Sequence, residues 1–438
     1  MQKRFSPMRI LIISSYFPPL NAIGSLRPYS WAKTWQDDGH DVTVLTCEPP
    51  SHASQGLDVE EFNFDVIRVP LPRFIRKLQD RFHRSAPSNS PPSKETGSRG
   101  VLRKLIEKTR KRTGIFSTSR MPDFHAWWVA PAYHRVCAGQ WDLVVSTYTP
   151  YASHLIARRL QRINRVAYWV ADFRDLWTDN QVHSGLFPFN QRERWLERRI
   201  VQGADMVTTV SDPLADRLQK LLPKRPVVTI ENGVFAQELD LLDPEPYFNS
   251  TDKFRIAYTG TTYPEKRDPG PLFQAISALK RSPQTAVLAN QIEVIFAGRP
   301  SSYIECLIDQ YELCSQVRCI GVVSRSDALR IQRDADLLLF TAWSANYAGI
   351  LTGKLFEYGA SGTPILSVGG HPNDSSDRLI LEYGLGWVCR NDIDAIQRYL
   401  KTILAGDLPC SHDDAQRDRF VHRFDRNRLA RKLLESVR

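Results

Sequence analysis

The sequence is poor in the features that stabilise small secreted domains and membrane-spanning proteins. Its seven cysteines are an odd number and no two are separated by only two residues, which argues against a disulfide framework or a zinc ribbon. No apolar run approaches the roughly 18 residues that a membrane-spanning helix needs, and the run Ile10–Ile13 is too short for a secretory signal. These absences predict a cytoplasmic protein with reduced thiols and no transmembrane helix.

Most of the chain also lacks an excess of either charge. The 438 residues carry a net charge of +10, yet residues 68–120 hold 15 Lys and Arg against 3 Asp and Glu, so this segment alone accounts for the excess. The remaining residues are nearly neutral. No zinc finger or RNA-recognition motif accompanies the basic segment, so we do not expect nucleic acid as a partner.

What the sequence does contain is a regular alternation of short apolar runs and helical patterns. Runs over residues 9–14, 41–46 and 142–146 predict buried parallel strands in the first half, and a second series begins at residue 255. The contents of hydrophobic (42%) and charged (24%) residues are those of a globular protein. The pattern predicts an α/β fold with two doubly wound domains that face each other across a cleft, with ligands at the carboxyl ends of strands.

The same pattern sets the expected domain boundaries. The predicted segments are a first domain over 1–235, an acidic linker over 236–252 and a second domain over 253–415. The first domain contains an insert over 70–120, in which Ala86–Gly100 is predicted to be mobile and Val101–Thr113 to form a basic amphipathic helix. This insert is either a solvated loop or a surface that holds the protein peripherally on the anionic inner face of a membrane.

Two polar motifs follow predicted strands of the first half. Gly24 lies in the loop Tyr16–Arg27, where a glycine either lets backbone N–H groups approach a phosphate or merely turns the chain. Residues 172–177, Asp-Phe-Arg-Asp-Leu-Trp, follow a later strand. Asp172 or Asp175 can there accept a proton or bind a sugar hydroxyl, and the alternative is an internal ion pair with the arginine that holds the loop.

The second half carries a motif suited to a diphosphate. Residues 258–267, Tyr-Thr-Gly-Thr-Thr-Tyr-Pro-Glu-Lys-Arg, follow the first strand of this half. The small residues Gly260 and Thr261 allow close backbone approach to an anion. Lys266 and Arg267 supply two cations, with a solvated basic turn as the alternative.

Residues 349–364 form the most specific motif, Gly-Ile-Leu-Thr-Gly-Lys-Leu-Phe-Glu-Tyr-Gly-Ala-Ser-Gly-Thr-Pro. A helix is predicted to begin near Gly353, where free N–H groups and the helix dipole favour an anion. Glu357 lies one turn inside this helix, where its carboxylate can accept both hydroxyls of a ribose or act as an ordinary first-turn glutamate. Gly298 and Arg299 end another strand and can lie along a nucleotide.

Together these segments resemble the GT-B glycosyltransferases of family 4. The similarity runs from RILIISSYFPP to RFDRNRLARKLLESV, and its most telling pieces are DFRDLW, YTGTTYPEKRDPGPLF, DADLLLF and GKLFEYGASGTPIL. It implies two Rossmann-like domains, a nucleotide-diphosphate sugar bound by the second and an acceptor bound by the first. It also implies transfer with retention of configuration and a final helix over 416–438 that crosses back to the first domain. The acceptor that we expect is a cell-envelope component or a polysaccharide.

The resemblance assigns roles to individual residues. Glu357 would bind the donor ribose, Lys266 or its rival Arg267 the diphosphate, and Gly24 the donor phosphate. The candidate catalytic residues are Asp172, Asp175, Lys266 and Glu357. The donor-binding candidates are Gly24, Gly260, Thr261, Lys266, Arg267, Gly298, Arg299, Leu351, Thr352, Gly353 and Glu357. Arg174 and Tyr148 are placed on the acceptor side, and no cofactor or metal ligand is assigned.

Two departures from the family pattern matter. The family commonly has a second glutamate eight residues before the ribose glutamate, and Gly349 stands at that position, so the donor sugar is not predicted. Many relatives carry a histidine near the reacting centre, but His154 in STYTPYASH lies within a helical stretch and is not assigned. We expect metal-independent transfer, since N–H donors, Lys and Arg can replace a cation at the leaving diphosphate. A GT-B sugar-nucleotide epimerase or a non-catalytic binder of sugar nucleotides is the alternative function.

Overall fold

The computed structural model describes residues 6–50, 62–84, 113–114, 119–121, 123–180, 183–249, 252–263, 266–343, 349–406 and 414–437. The chain divides into two compact units. The first comprises Met1–Glu231 with Leu429–Arg438, and the second comprises Asn232–Arg428. The predicted mobile segment 86–100 lies outside the described residues, as does the basic helix predicted over 101–113 apart from Thr113.

The first unit is built on a seven-stranded sheet. Its strands are β1 (Arg9–Ile13), β2 (Asp41–Cys47), β3 (Asp65–Val69), β4 (Trp141–Tyr148), β5 (Val166–Phe173), β6 (Met206–Thr209) and β7 (Val227–Thr229). Their order is β3-β2-β1-β4-β5-β6-β7, and every neighbouring pair is parallel. The order reverses between β1 and β4, which is the place where a doubly wound sheet binds its ligand.

Helices follow the strands of this sheet. They are α1 (Ile23–Asp37), α2 (Arg73–Arg84), α3 (Val129–Val136), α4 (Ala152–Arg162), α5 (Phe189–Val201) and α6 (Asp212–Leu221), with a 3₁₀ turn over Phe124–Trp127. Residues Ile10–Ile13 of β1 are fully buried, as expected of a parallel strand covered on both faces. The predicted continuous apolar run is therefore a central strand of the sheet.

The second unit has a parallel six-stranded sheet. Its strands are β8 (Phe254–Thr259), β9 (Ile292–Ala297), β10 (Val317–Gly321), β11 (Leu337–Ala342), β12 (Ile365–Gly369) and β13 (Gly386–Arg390). The order is β10-β9-β8-β11-β12-β13, with the reversal between β8 and β11. Both sheets thus have the doubly wound α/β arrangement that the sequence predicts.

The remaining helices belong largely to this second unit. They are α7 (Ala236–Asp240), α8 (Gly270–Arg281), α9 (Ala286–Gln291), α10 (Ser302–Gln310), α11 (Arg325–Asp334), α12 (Gly353–Ser361), α13 (Ser375–Glu382), α14 (Ile393–Leu404), α15 (Asp414–Phe424) and α16 (Arg426–Ser436). In the described part of the chain, no helix combines the length and the apolar content that crossing a membrane requires.

The final helix ends in the first unit. The indole N–H of Trp35 donates to the carbonyl of Ala430 at 2.9 Å, and Arg431 pairs with Asp38 at 2.8 Å. Both contacts anchor the last turns of α16 to α1. The boundaries predicted at 235, 252 and 415 are not themselves tested by these contacts and stay predictions.

Two local expectations differ from the structure. Helix α1 begins at Ile23, so Gly24 lies in its first turn and not in a loop, and Pro28 lies inside the helix. A proline there removes one backbone N–H donor and crowds the carbonyl four residues earlier, yet the helix continues to Asp37. The segment 236–252, expected to be irregular, begins with α7, and its Tyr247 N–H donates to Asp334 at 2.7 Å within the second unit.

Candidate functional site

Gly260 and Gly298 bring the ends of two neighbouring strands of the second unit together. Gly260 follows β8, and its N–H donates to the carbonyl of Ala297, the last residue of β9, at 2.7 Å. A Cβ on Gly298 would lie 2.2 Å from the Gly260 carbonyl oxygen, which no side chain tolerates. Gly260 itself has φ of +115°, a conformation that favours glycine. Both predicted donor-binding glycines are therefore required by this close approach of two loops.

Arg267 lies buried between the loops that follow β8 and β11. Its Nη2 donates to the hydroxyl of Thr352 at 3.2 Å, and its guanidinium carbon lies 4.9 Å from the ring centroid of Trp343. Thr352 is the N-cap of α12, whose first residue is the buried Gly353. Lys266, the other predicted cation, is only partly buried. The structure thus brings Arg267 to the start of the helix that the sequence predicted as an anion site.

Lys354 completes this group, although the sequence analysis did not single it out. The side chain is 6% exposed, and its Nζ lies 3.3 Å from the ring centroid of Tyr258. A Cβ on Gly260 would lie 3.3 Å from the same Nζ, so the glycine leaves room for the amine. Burial lowers the pKa of Lys354 well below its usual range, the charge of Arg267 lowers it further, and Glu357 acts in the opposite direction. In the sequence, this role of Lys354 is indicated only by the position of the lysine next to the apolar face of a predicted helix.

Glu357 is held by an arginine from another helix. Nη1 of Arg325 donates to Oε1 of Glu357 at 2.8 Å, and Nη2 of the same arginine pairs with Glu238 at 2.6 Å. Burial alone would lower the pKa of Arg325, but the charges of the two glutamates outweigh it and raise the pKa. The Glu357 side chain is 12% exposed. Its carboxylate is therefore fixed in orientation one turn after the helix start.

The other donor candidates are less closely grouped. The carbonyl of Thr261 accepts from the hydroxyl of Tyr258 at 2.8 Å, and the Thr261 side chain is exposed. Leu351 is buried, and its carbonyl accepts from the Asn232 amide at 3.2 Å. Arg299 is exposed. Among the described residues, no side-chain hydrogen bond joins Thr261, Leu351 or Arg299 to Arg267, Lys354 or Glu357.

Gly24 and Arg174 are in contact in the first unit. A Cβ on Gly24 would lie 1.8 Å from Nη1 of Arg174, so only glycine lets the guanidinium lie there. Nε and Nη2 of Arg174 donate to the carbonyls of Tyr148 and Thr149, both at 3.1 Å, and the group lies over the Tyr16 ring. The ends of β1, β4 and β5 are thereby joined where the strand order reverses.

Asp172 forms an internal ion pair. Its carboxylate is fully buried and accepts from Arg27, with the closest contact at 2.8 Å, and from the hydroxyls of Thr147 and Thr208 at 2.9 Å. Both oxygens therefore have donors within the protein. This geometry favours the structural alternative over a proton acceptor for Asp172. Asp175 is exposed, and its catalytic role stays a prediction.

Tyr148 and His154 belong to the core of the first unit. The Tyr148 hydroxyl donates to the carbonyl of Ser119 at 2.6 Å, and its own carbonyl accepts from Arg174. Its place on the acceptor side stays a prediction. Nδ1 of His154 lies 2.8 Å from the Ser146 hydroxyl, which also accepts from the Trp169 indole. Burial lowers the pKa of His154 to about 3. His154 is therefore a neutral, buried side chain, which agrees with assigning it no catalytic role.

A buried carboxylate network that sequence reasoning missed holds the loop after β5. Arg120 donates to the carbonyls of Trp177 and Thr178 at 2.7 and 3.0 Å and pairs with Glu193 at 3.3 Å. Glu197, one turn further along α5, accepts from both the backbone N–H and the hydroxyl of Thr178. Burial raises the pKa of Glu197 to about 7. The sequence signal that could have indicated this network is the pair of glutamates four residues apart on one helix.

The buried Glu197 predicts a pH dependence of stability. Its pKa in the folded state lies above the ordinary 4.5, so its stabilising contribution is complete below about pH 4.5 and is lost as the pH rises through 7. Glu197→Gln should therefore raise the free energy of unfolding at pH 8 by up to about 3 kcal/mol and flatten its slope between pH 5 and 8. Urea unfolding across this range measures both, with the exposed Asp216→Asn as control; an unchanged slope would contradict the assignment.

The sequence contains two Asp-x-Asp triplets, 334–336 and 392–394, to which the resemblance assigns no metal. In the structure Asp334, Asp336 and Asp392 each accept a backbone N–H at 2.7 to 2.8 Å. Asp392 caps the start of α14. These carboxylates therefore serve local structure, and the metal independence of any reaction stays a prediction.

The sequence matches one known family over much of its first half. Residues 26–233 match the glycosyl transferase 4-like domain. No curated protein matches the sequence.

Solved structures share the architecture over nearly the whole chain. Sucrose-phosphate synthase from Thermosynechococcus elongatus is 16% identical, with 97% of each chain covered and a TM-score of 0.59. The E. coli structure described as trehalose-6-phosphate bound with UDP-2-fluoro glucose is 12% identical, with 98% of each chain covered and a TM-score of 0.62. A lipopolysaccharide outer core galactosyltransferase in its apo form is 12% identical, with 98% of this chain and 99% of that chain covered and a TM-score of 0.57. At these identities the likeness establishes the fold.

Proposed function

We propose that this chain is a GT-B glycosyltransferase that transfers a sugar from a nucleotide-diphosphate donor. Its match to a glycosyl transferase 4-like domain over residues 26–233 and its fold support this proposal. The donor would bind to the second unit and the acceptor to the first. The acceptor that we propose is a lipid-linked or saccharide component of the cell envelope or of a polysaccharide. We also propose that the transferred sugar keeps its anomeric configuration.

The observation that carries the donor proposal is the arrangement at the start of α12. The first-turn N–H groups and the buried Arg267 can bind the diphosphate, since both favour an anion. Glu357, one turn later and held by Arg325, can then accept the ribose hydroxyls. One neighbouring structure is described as bound with UDP-2-fluoro glucose, which agrees with a nucleotide-sugar donor.

A panel of UDP-, GDP-, ADP- and dTDP-sugars tests the proposal. We expect one nucleotide to bind with clear preference, and its sugar to be transferred to a lipid-linked acceptor in the presence of EDTA, with the anomeric configuration of the product read by NMR. No binding of any member would overturn the proposal. Isomerisation of the sugar nucleotide without an acceptor would instead support the epimerase alternative.

The exposed face of α2 supports peripheral attachment to a membrane. Arg73, Phe74, Lys77 and Leu78 are exposed on one side of this helix, while Ile75 is buried against the first unit. Exposed cations beside exposed apolar side chains are typical of helices that lie in the interface of an anionic bilayer. We propose that this face, part of the predicted basic insert, holds the first unit on the inner face of a membrane.

Trp127 extends the apolar part of this face. Its exposed ring packs edge-on against Phe74, with 5.2 Å between ring centroids. Phe74→Ser with Leu78→Ser should weaken sedimentation with phosphatidylglycerol vesicles at least ten-fold, because burying each side chain contributes about 1.5 to 3 kcal/mol. Phe187→Ser, which removes another exposed aromatic ring of the same unit, is the control. Equal binding of the double variant and the wild type would sink the membrane proposal.

A further inference from the structure

We propose that Lys354 is a ligand of the donor diphosphate together with Arg267, and that it takes up a proton when the anion binds. The inference deepens the proposed function and rests on it for the identity of the anion as a nucleotide diphosphate. It concerns a side chain that neither the motif analysis nor the resemblance assigned.

The position of Lys354 is the first step. It is the second residue of α12, a nine-residue helix, and therefore lies among the first-turn N–H groups that have no intrahelical acceptor. Its side chain folds back over the ring of Tyr258 into the space left by Gly260, at the carboxyl end of β8. The amine thus lies at the reversal point of the second sheet, where doubly wound folds bind their ligands.

The lack of a partner is the second step. Nζ of Lys354 has no hydrogen-bond partner among the described residues, although the side chain is only 6% exposed. Arg267 is 4% exposed; it donates to Thr352, and its Nε has no acceptor in the described structure. Keeping a charge on buried donors that lack an acceptor is costly, and an anion placed between the helix start and these two groups would offset that cost.

The electrostatics of the neighbouring groups give the third step. Lys354 is faced by Arg267 from the segment after β8, by Tyr258 from β8, and by Glu357 from its own helix. Burial, followed by the charge of Arg267, lowers the pKa of Lys354 well below its usual range. A bound diphosphate reverses this balance, because an adjacent anion favours the protonated amine. Binding is therefore coupled to proton uptake at this lysine.

Calorimetry on the full chain tests the coupling without any substitution. Inorganic pyrophosphate and the preferred nucleoside diphosphate are titrated at about pH 8.5 in two buffers of different ionisation enthalpy. At this pH the nucleoside diphosphate is fully ionised, so we expect the difference between buffers to show net uptake of protons for this probe. Inorganic pyrophosphate retains a proton that it can release, so it is used to measure affinity only. No uptake, or net release, would overturn the inference.

The variant Lys354→Met removes the amine and keeps the apolar stem. We expect at least ten-fold weaker binding of both probes and no remaining proton uptake. Lys354→Arg should keep most of the affinity but show no uptake, since its charge is permanent. Lys401→Met, at an exposed lysine of α14, is the matched control and should behave as the wild type.

The outcomes separate this inference from the proposed function. Nucleotide binding that is indifferent to Lys354→Met overturns the inference and leaves the donor proposal standing. Binding of pyrophosphate that depends on Lys354, with no nucleotide sugar bound, supports the anion site and overturns the donor proposal. If Lys354→Met fails to fold by circular dichroism, the wild-type measurement in two buffers decides.

Discussion

Glu357→Ala is expected to weaken binding of the nucleotide-sugar donor about 100-fold while leaving the fold intact. A carboxylate that accepts both ribose hydroxyls makes two hydrogen bonds to a charged group, each contributing about 1.5 to 3 kcal/mol. The loss of about 3 kcal/mol corresponds to two powers of ten in affinity. Arg325 keeps Glu238 as its partner at 2.6 Å, so the variant leaves no unpaired buried cation. Titration calorimetry with the preferred donor measures the change.

A donor analogue makes this test specific to the ribose. The wild type should bind the 2′-deoxy nucleoside diphosphate about ten-fold more weakly than the parent, and Glu357→Ala should no longer distinguish the two. Glu238→Gln is the matched control, because it alters the other carboxylate on Arg325. If Glu238→Gln lowers donor affinity as much as Glu357→Ala, the effect passes through Arg325 and the ribose assignment is wrong.

The place of the donor site could be predicted because it depends on local signals. The apolar runs of β8, β9 and β11 are each continuous in sequence, and β9 occupies the run Ile292–Ala297 from end to end. Polar and glycine-rich motifs directly follow β8 and β9, and parallel strands bring their carboxyl ends to one edge. Order along the chain therefore sufficed to place Gly260, Gly298 and the start of α12 near one another.

The pairing of side chains could not be predicted, because it depends on positions far apart in sequence. The motif Asp-Phe-Arg-Asp suggested a pair between Asp172 and its neighbouring arginine, but the partner is Arg27, 145 residues away. Arg174 instead bonds to backbone carbonyls beside Gly24. Likewise Arg325, the residue that orients Glu357, lies on a different helix and belongs to no motif.

Strand β13 shows a second limit. Gly386–Arg390 contains a glycine at one end and an arginine at the other, which leaves only three residues of apolar pattern. A Cβ on Gly386 would lie 2.0 Å from the carbonyl oxygen of Ile365 on the neighbouring strand. The glycine that hides the strand from a pattern search is therefore the residue that permits its pairing.

Asp172→Asn is expected to lower the midpoint of thermal unfolding by about 10 °C, which separates a structural from a catalytic aspartate. Removing one member of a buried ion pair costs about 3 to 5 kcal/mol, because the partner's charge stays buried. For a domain of about 200 residues each kcal/mol shifts the midpoint by about 2 to 4 °C. Asp216→Asn, at an exposed carboxylate of the same unit, should change the midpoint little. Scanning calorimetry measures both variants.

The partner of Asp172 supplies the decisive comparison. Arg27 reaches Asp172 at 2.8 Å and also donates to the carbonyl of Glu231, so Arg27→Met should destabilise the protein as well. If the two residues act as a pair, the double variant Arg27→Met with Asp172→Leu should lose less stability than the sum of the losses in Arg27→Met and Asp172→Leu. No unpaired charge stays buried in the double variant. Transfer activity at low temperature should then survive in Asp172→Asn within a few-fold. A loss of activity by several powers of ten in a variant with an unchanged unfolding midpoint would instead make Asp172 a catalytic residue.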